Sequence, residues 1–270
     1  MASSNLVRVH RLQEGSWEQT EAEIIAEIPV SLTVNGEVWL TFMCTPVHME
    51  ALAVGFLYNE GILEEMDEVA SVRVCEHGDN VDVWLTHPAD KPEKWRRTSG
   101  CTGGLTAVEA YLDLRPATHT NGAVITPEQV SRHVEMLLEA QELYRKVGGV
   151  HTSALSDGEK VIVSAEDIGR HNTLDKIAGL CLMQDIHPKR RILVTTGRIS
   201  SEMLQKAARI GASIVISRTA PSSLSVQMAQ QLGVTLIGYA RRDRFNVYAH
   251  AERIVTSNQL PVISHATRNS

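Results

Sequence analysis

The hydrophobic and polar positions divide the chain into two stretches of different rhythm. Residues 1 to about 22 are polar and weakly patterned, which predicts a mobile arm or an added edge strand. Next, Ile28-Pro29-Val30-Ser31-Leu32-Thr33-Val34 and Glu37-Val38-Trp39-Leu40 form two β-rich runs joined by Asn35-Gly36, the strongest short hairpin signal. Thr45 reads as the cap of a helix with Pro46 at its first position. Met49, Leu52, Ala53, Phe56 and Leu57 mark the apolar face of that helix and Gly61 its stop. Strands are predicted around Val69 to Cys75 and Val81 to Leu85, then a glycine-rich loop and a short helix from about Leu105 to Leu112. These elements make a small α+β unit.

The turn-forming segment Arg115-Pro116-Ala117-Thr118-His119-Thr120-Asn121-Gly122 reads as a linker, so residues 1–120 and 121–270 are expected to be separate domains. Thr126-Pro127-Glu128-Gln129 is a capping box opening one long helix that Gly148-Gly149 ends. His151 to Leu155 and Lys160 to Ala165, around Asp157-Gly158, predict a hairpin. A helix is expected over Leu174 to Leu182. Then strands and helices alternate: strand Arg191 to Thr195, helix Ser201 to Arg209, strand Ser213 to Ser217, helix Ser222 to Gln231, strand Val234 to Gly238. That alternation implies right-handed crossovers and a largely parallel sheet, an α/β fold class.

Composition narrows the classes. A chain of 270 residues with 43% hydrophobic content and a formal charge of -6 describes a globular protein, not a general nucleic-acid binder. No apolar run approaches a membrane span, and Met-Ala-Ser-Ser-Asn lacks the order of a signal peptide, so no membrane association and a cytoplasmic location are expected. The four cysteines, Cys44, Cys75, Cys101 and Cys181, show no Cys-x-x-Cys spacing, which suggests neither a disulfide framework nor structural zinc. Cys44, Cys75 and Cys181 lie in apolar strand or helix patterns and read as buried packing.

Cys101 is different. It lies in Arg96-Arg97-Thr98-Ser99-Gly100-Cys101-Thr102-Gly103-Gly104, where three glycines leave no helix or packed strand to bury it and two arginines would favour the thiolate if the loop folds back on itself. It is a candidate nucleophile or sulfur carrier, or else an incidental thiol in an anion-binding glycine loop. A ligand crevice is expected beyond the carboxyl ends of the parallel strands. The turns there place arginine beside small or hydroxyl residues: Thr195 to Ser201 with Arg198, Ser217 to Ser223 with Arg218, and Gly238-Tyr239-Ala240-Arg241-Arg242-Asp243-Arg244. Two of them lead into helices whose free N–H groups suit phosphate. Glu166-Asp167-Ile168-Gly169-Arg170-His171-Asn172 adds a fourth. If the turns share one edge, Arg170, Arg198, Arg218 and Arg241 to Arg244 make a basic pocket for a phosphate-rich small ligand. His151 and His171 read as hydrogen-bonding scaffold.

A zinc deaminase would present His-x-Glu and Pro-Cys-x-x-Cys in a similar α/β arrangement. The counterparts here are His151-Thr152-Ser153 and Pro221-Ser222-Ser223-Leu224-Ser225, with serine in place of the acid/base and both thiolates. No metal site is expected, and a zinc-dependent nucleobase hydrolase is disfavoured.

The chain resembles the formate dehydrogenase accessory sulfurtransferases, the FdhD/NarQ family. The similarity runs from Glu27-Ile28-Pro29-Val30 and Gly55-Phe56-Leu57-Tyr58-Asn59-Glu60-Gly61 to Arg244-Phe245-Asn246-Val247-Tyr248. It is most specific in Glu166-Asp167-Ile168-Gly169-Arg170-His171-Asn172-Thr173-Leu174-Asp175-Lys176 and Thr219-Ala220-Pro221-Ser222-Ser223-Leu224. The resemblance implies a small N-terminal α+β domain, a C-terminal cytidine-deaminase-like α/β/α domain and a homodimer. It implies a sulfur carrier that accepts sulfur from a cysteine desulfurase as a Cys101 persulfide. The sulfur would pass to the molybdenum bis(molybdopterin guanine dinucleotide) cofactor before formate dehydrogenase takes that cofactor up. By the same resemblance Cys101 is the persulfide-carrying cysteine, and Tyr239, Ala240, Arg241, Arg242, Asp243 and Arg244 are the cofactor-binding stretch. Guanine nucleotide binding follows, with Arg170, His171, Arg198 and Arg218 completing the expected pocket. Members often carry Cys-x-x-Cys in the loop, whereas Gly104 stands at the second position here, so a single-cysteine persulfide is implied. The alternative is a non-catalytic molybdenum cofactor-binding chaperone that shares the pocket and makes no use of the thiol.

Overall fold

The computed structural model describes residues 2–93, 95–97, 105–107 and 124–256. The N-terminal stretch is neither a loose arm nor an added edge strand. Strands β1 (Ser4–Gln13) and β2 (Ser16–Ile25) pair antiparallel as a two-stranded ribbon of their own, turned at Glu14-Gly15. Its weak pattern has a physical reason, since Leu6, Leu12 and Trp17 are exposed and neither face of the ribbon is a core face.

Strands β3 (Ile28–Val34) and β4 (Glu37–Cys44) form the expected hairpin, with Asn35 and Gly36 both at positive φ. Helix α1 (Met49–Asn59) follows, then β5 (Val69–Val74) and β6 (Asn80–Leu85), completing a four-stranded sheet of order β4-β3-β6-β5. The predicted apolar face of α1 packs on that sheet, where Leu52, Phe56 and Leu57 meet Val30, Leu32, Phe42 and Val83. Thr45, however, does not cap α1. The helix begins at Met49 behind His48, while the Thr45 hydroxyl accepts the N–H of Ile168 at 3.2 Å and the Thr45 N–H donates to Asp167 Oδ2 at 3.1 Å. A side chain engaged by the other half of the chain is lost to local capping.

Strands β7 (Trp95–Arg97) and β8 (Leu105–Ala107) pair antiparallel, with Arg97 opposite Leu105. The helix expected from Leu105 is therefore a strand over 105–107, where ladder bonds to β7 outweigh local propensity. The rest of that helix, the linker and Cys101 lie outside the described residues.

The capping box at Thr126 and Gln129 is present, but the long helix behind it is broken into α2 (Pro127–Glu139) and α3 (Glu142–Val147). The break has a cause. The Glu166 carboxylate accepts the N–H groups of Leu143 at 2.5 Å and Tyr144 at 3.0 Å, making a second helix start, while Gln141 turns inward onto Thr152.

The elements that follow are β9 (His151–Ser156), β10 (Val161–Asp167), α4 (Arg170–Met183), β11 (Ile192–Thr195) and α5 (Ser201–Arg209). They continue with β12 (Ile214–Ser217), α6 (Ser223–Leu232), β13 (Thr235–Gly238) and β14 (Asn246–Ala249). The six-stranded sheet has the order β10-β9-β11-β12-β13-β14, and β14 has no counterpart among the predicted elements. Only the β11–β12 and β12–β13 pairings are parallel, so the sheet is mixed rather than largely parallel. The turns before β10 and β14 are too short for the dozen or more residues that a parallel crossover needs. Leu174, Ile177, Met203, Leu204 and Met228 of α4, α5 and α6 cover one face, and Val130, Val134 and Leu137 of α2 cover the other.

The two sheets meet through their helices. α1 crosses α4 so closely that a Cβ on Gly55 would stand 1.8 Å from Asp175 O, and one on Gly179 would stand 1.9 Å from Ala51 O. α1 is buried on both sides and α4 over its first ten residues, which explains why neither has a strongly polar face.

Candidate functional site

Because β9 is antiparallel to both β10 and β11, the ends of β10, β11, β12 and β13 all leave the sheet at one edge. The pairings Asp167 with His151 and Ser153 with Thr195 set the start of β9 at that edge as well. The four segments singled out in the sequence are thus brought together by topology.

Hydroxyl groups fasten the turns to one another. Ser153 Oγ donates to Thr195 Oγ1 at 2.8 Å and lies 2.7 Å from Thr173 Oγ1. Thr195 Oγ1 accepts the N–H of Gly197 at 3.1 Å, Ser217 Oγ donates to Gly197 O at 2.7 Å, and Ser225 Oγ donates to Ile199 O at 2.9 Å. Ser200 and Ser222 cap α5 and α6 by accepting from Met203 N and Ser225 N. The serines at deaminase-ligand positions are therefore engaged in turn and cap bonds. Among the described residues no group of three or more His, Cys, Asp or Glu is placed to hold a metal ion.

The arginines differ in standing. Arg198, Arg242 and Arg244 are exposed, Arg218 and Arg241 are half-buried, and Arg170 is buried. Arg241 donates from Nη1 to Arg218 O at 2.5 Å and to Ala240 O at 2.8 Å, so it fixes the turn after β12 as well as facing outward. Arg242 is drawn away to Glu135 at 3.2 Å. Arg218 Nε is buried with no hydrogen-bond partner among the described residues. Tyr239 is exposed and held at φ 52 by bonds from its own N–H to Thr219 O and from Ala240 N–H to Ser217 O. A non-glycine residue in that region of backbone space is strained, and such strain gathers at ligand clamps.

Sequence reasoning missed what holds this edge in place. Asp167 and Lys176 are fully buried and 2.6 Å apart. The Asp167 carboxylate also accepts from Thr45 N, Gly169 N and Asn172 Nδ2, at 3.1, 2.7 and 2.8 Å. Lys176 Nζ donates to Thr45 O at 3.0 Å, and Asn172 Nδ2 to Met43 O at 2.9 Å. The end of β4 and the turn that presents Arg170 and His171 are thereby one rigid piece. A second buried pair, Asp175 with Lys206, joins Asn59 and Glu60 of the α1 end to α4 and α5. The signal was in the sequence, as two lysines inside otherwise buried helices, but a lysine's partner is not legible from its spacing.

Both histidines of the edge hold a second ring proton less readily than an ordinary imidazole. Burial holds His171 well below its ordinary range, with Lys206, Arg170 and His151 adding to the effect. Burial lowers His151 too, helped by Arg170 and Arg198 and opposed by Asp167. Of the other cysteines, Cys44 is fully buried and its thiol is pushed up to about 12. Cys75 and Cys181 are half-buried rather than buried. Cys75 sits where the β5–β6 turn begins and donates to Asp79 at 3.0 Å, and Cys181 lies near the end of α4, its thiol pushed up to about 11 by burial. A cleft lined by Ser3, His48, Leu143, Lys146 and Glu166 opens beside β10; it shares Glu166 with the segments singled out in the sequence but holds none of their arginines.

The sequence model of the FdhD/NarQ family matches residues 25–255. The sulfur carrier protein FdhD of Bacillus subtilis (strain 168) is 38% identical over 250 residues, covering 91% of this chain and 95% of that protein. The protein of the same name in Staphylococcus haemolyticus (strain JCSC1435) is 37% identical over 248 residues, covering 90% and 94%. A crystal structure provisionally assigned as a formate dehydrogenase accessory protein of Desulfotalea psychrophila superposes with a TM-score of 0.79 at 27% identity, covering 94% of this chain and 100% of that one. With the family pattern running through both sheets and relatives matching over nine-tenths or more of the chain, the chain belongs to the FdhD/NarQ family.

Proposed function

We propose that this chain is a sulfur carrier, acting as a sulfurtransferase that serves formate dehydrogenase. In this reading Cys101 takes sulfane sulfur from a cysteine desulfurase and delivers it to the molybdenum bis(molybdopterin guanine dinucleotide) cofactor before the dehydrogenase receives it. The cofactor is substrate, held at the arginine edge of the six-stranded sheet, and the work is done in the cytoplasm by a homodimer. The names of the relatives support the coarse role. The observation that carries the finer one is the convergence of the turns bearing Arg170, Arg198, Arg218 and Arg241 on one edge of a chain whose formal charge is -6.

The residues suit such a substrate. Guanine dinucleotide arms bring pyrophosphate groups, and the edge offers Arg218 with a buried Nε lacking a partner among the described residues, plus exposed Arg198 and Arg244. In the loading step the Cys101 thiolate attacks the outer sulfur of the donor's persulfide. A new S–S bond forms, the old one breaks and the donor cysteine leaves as thiolate, with no net change of oxidation state.

Two measurements test the reading. Incubation with a desulfurase and labelled cysteine should place label on Cys101, and Cys101→Ser should abolish it while Cys181→Ser does not. GDP should bind the full-length protein, and Arg244→Ala should weaken it by about tenfold to a hundredfold, the size of a lost charge-assisted phosphate contact. Arg241→Ala is the poorer probe, because it also releases the Arg218 carbonyl. GDP binding without label at Cys101 would make the protein a cofactor-binding chaperone instead.

A further inference from the structure

Two histidines stand in the arginine edge: His151, read from the sequence as scaffold, and His171, read both as scaffold and as part of the expected pocket. His151 opens β9 and is half-buried, with Nδ1 3.5 Å from Thr196 Oγ1 in the turn after β11. His171 lies in the first turn of α4, 4% exposed, with Nε2 3.4 Å from Ser200 Oγ, the cap of α5. Cations from three places act on them: Arg170 on α4, Arg198 after β11 and Lys206 on α5. Of the acidic groups on the surrounding elements, Asp167 of β10 acts on His151 but is bound by Lys176, and Asp175 and Glu60 are bound by Lys206. Glu202 stands in the first turn of α5, its Oε2 buried with no hydrogen-bond partner among the described residues.

Such a cluster has a consequence. With no ligand, each added proton would crowd another positive charge beside Arg170, so both rings stay neutral near pH 7. A phosphate group placed among the arginines cancels that repulsion and offers a charged acceptor to an imidazolium. We propose that anion binding at this edge is coupled to protonation of His151 and His171, so that the site takes up protons as it takes up its phosphate ligand. This rests on the reading of the edge as a nucleotide site and adds its regulation: binding tightens as pH falls, and release is favoured as pH rises.

The sign and size follow from linkage. Affinity gains up to about tenfold per pH unit for each proton taken up, over the range between the free and bound ionisation of the ring. The experiment is calorimetric titration of the full-length protein with GDP at pH 6.5 and 7.5, in buffers of different ionisation enthalpy, which counts protons directly. Titration of the GDP phosphate itself is common to all variants, so the difference between proteins reports the histidines. The expected result is tighter binding and net proton uptake in the wild type, with uptake reduced in His151→Gln and in His171→Gln. His151→Gln is the safer variant, since its ring is only half-buried. GDP binding whose proton count matches in wild type and both variants would overturn the inference and leave the nucleotide reading standing. Pyrophosphate binding with histidine-dependent uptake, but no GDP binding, would uphold the coupling and overturn the nucleotide reading. Absence of binding by either probe would overturn both.

Discussion

His171 shows how one buried side chain links the fold to pH. Its folded form gives up the proton well below the ordinary 6.5, because burial and the charges of Lys206 and Arg170 oppose the imidazolium. The unfolded chain takes that proton near 6.5, so below that value the unfolded state binds more protons and stability falls, levelling out only beneath the folded ionisation. His133 adds to the trend. It is 1% exposed, donates from Nδ1 to Gln129 O and has Nε2 3.1 Å from Ser156 Oγ, and burial holds it below its ordinary range. His87, raised by Pro88 O and Glu68 at the surface, works the other way. Denaturation midpoints are therefore expected to drop between pH 7.5 and 5.5, and His171→Gln should make the drop shallower. Identical pH slopes in the two proteins would show that His171 does not titrate as its surroundings demand. Residues of this kind were only partly legible. Thr126 was read as a cap from position alone and is one, whereas Thr45, read the same way, is not; Ser200 and Ser222 are caps that the predicted helix bounds did not name. Asp167 and Lys176 could not be paired in advance, because their shared partner Thr45 lies more than a hundred residues away.

At the scale of elements, local rules succeeded where cap and apolar stripe are local and failed where a distant residue intervenes. Helix α5 matches its predicted bounds, Ser201 to Arg209, because Ser200 caps its start and Met203, Leu204 and Ala207 supply the stripe, although Gln205 and Lys206 are buried as well. The apolar stripe of α1 was legible in the same way, but the burial of its opposite face, with Ala51 and Gly55 against α4, was not. The break between α2 and α3 escaped because Glu166, which starts α3, comes from another strand. Gly55 and Gly179 state the α1–α4 contact most sharply. Neither is at positive φ, so neither is needed for backbone freedom; each is there because the facing carbonyl leaves no room for a Cβ. Small residues at a helix crossing set how closely two axes approach. Gly55→Ala and Gly179→Ala should each cost at least the roughly 1–3 kcal/mol of an overpacked core, since the clash is with backbone and cannot be relieved by a rotamer change. Thermal denaturation measures this. A substitution that leaves the midpoint within a degree of wild type would mean that the helices cross farther apart than described.

At the scale of the whole molecule the layers run α2, six-stranded sheet, α4 with α5 and α6, then α1, then four-stranded sheet, with α1 packed directly on α4 and on the four-stranded sheet. The sequence suggested two domains, 1–120 and 121–270, from the turn-rich stretch between them. Chain punctuation reports where a strand or helix stops, not whether the faces on either side are closed by their own residues. Here they are not. The same α1 that fills the N-terminal core with Leu52 and Phe56 also covers α4, and Thr45, Asn59 and Glu60 supply polar partners to Lys176, Asp175 and Lys206. A fragment of residues 121–270 would keep the ion pairs Asp167 with Lys176 and Asp175 with Lys206 but open them to water on one side, together with Gly179 and the apolar face around it. A buried pair that loses its added hydrogen bonds no longer offsets its desolvation, and an exposed helix face of this size favours association. The fragment is therefore expected to lack a cooperative thermal transition or to aggregate, while the full chain melts in one step. Calorimetry of both decides the matter. A fragment that melts cooperatively within a few degrees of the full chain would show that the two units are independent domains, and that the bonds from Thr45 and Asn59 orient the arginine edge without holding it up.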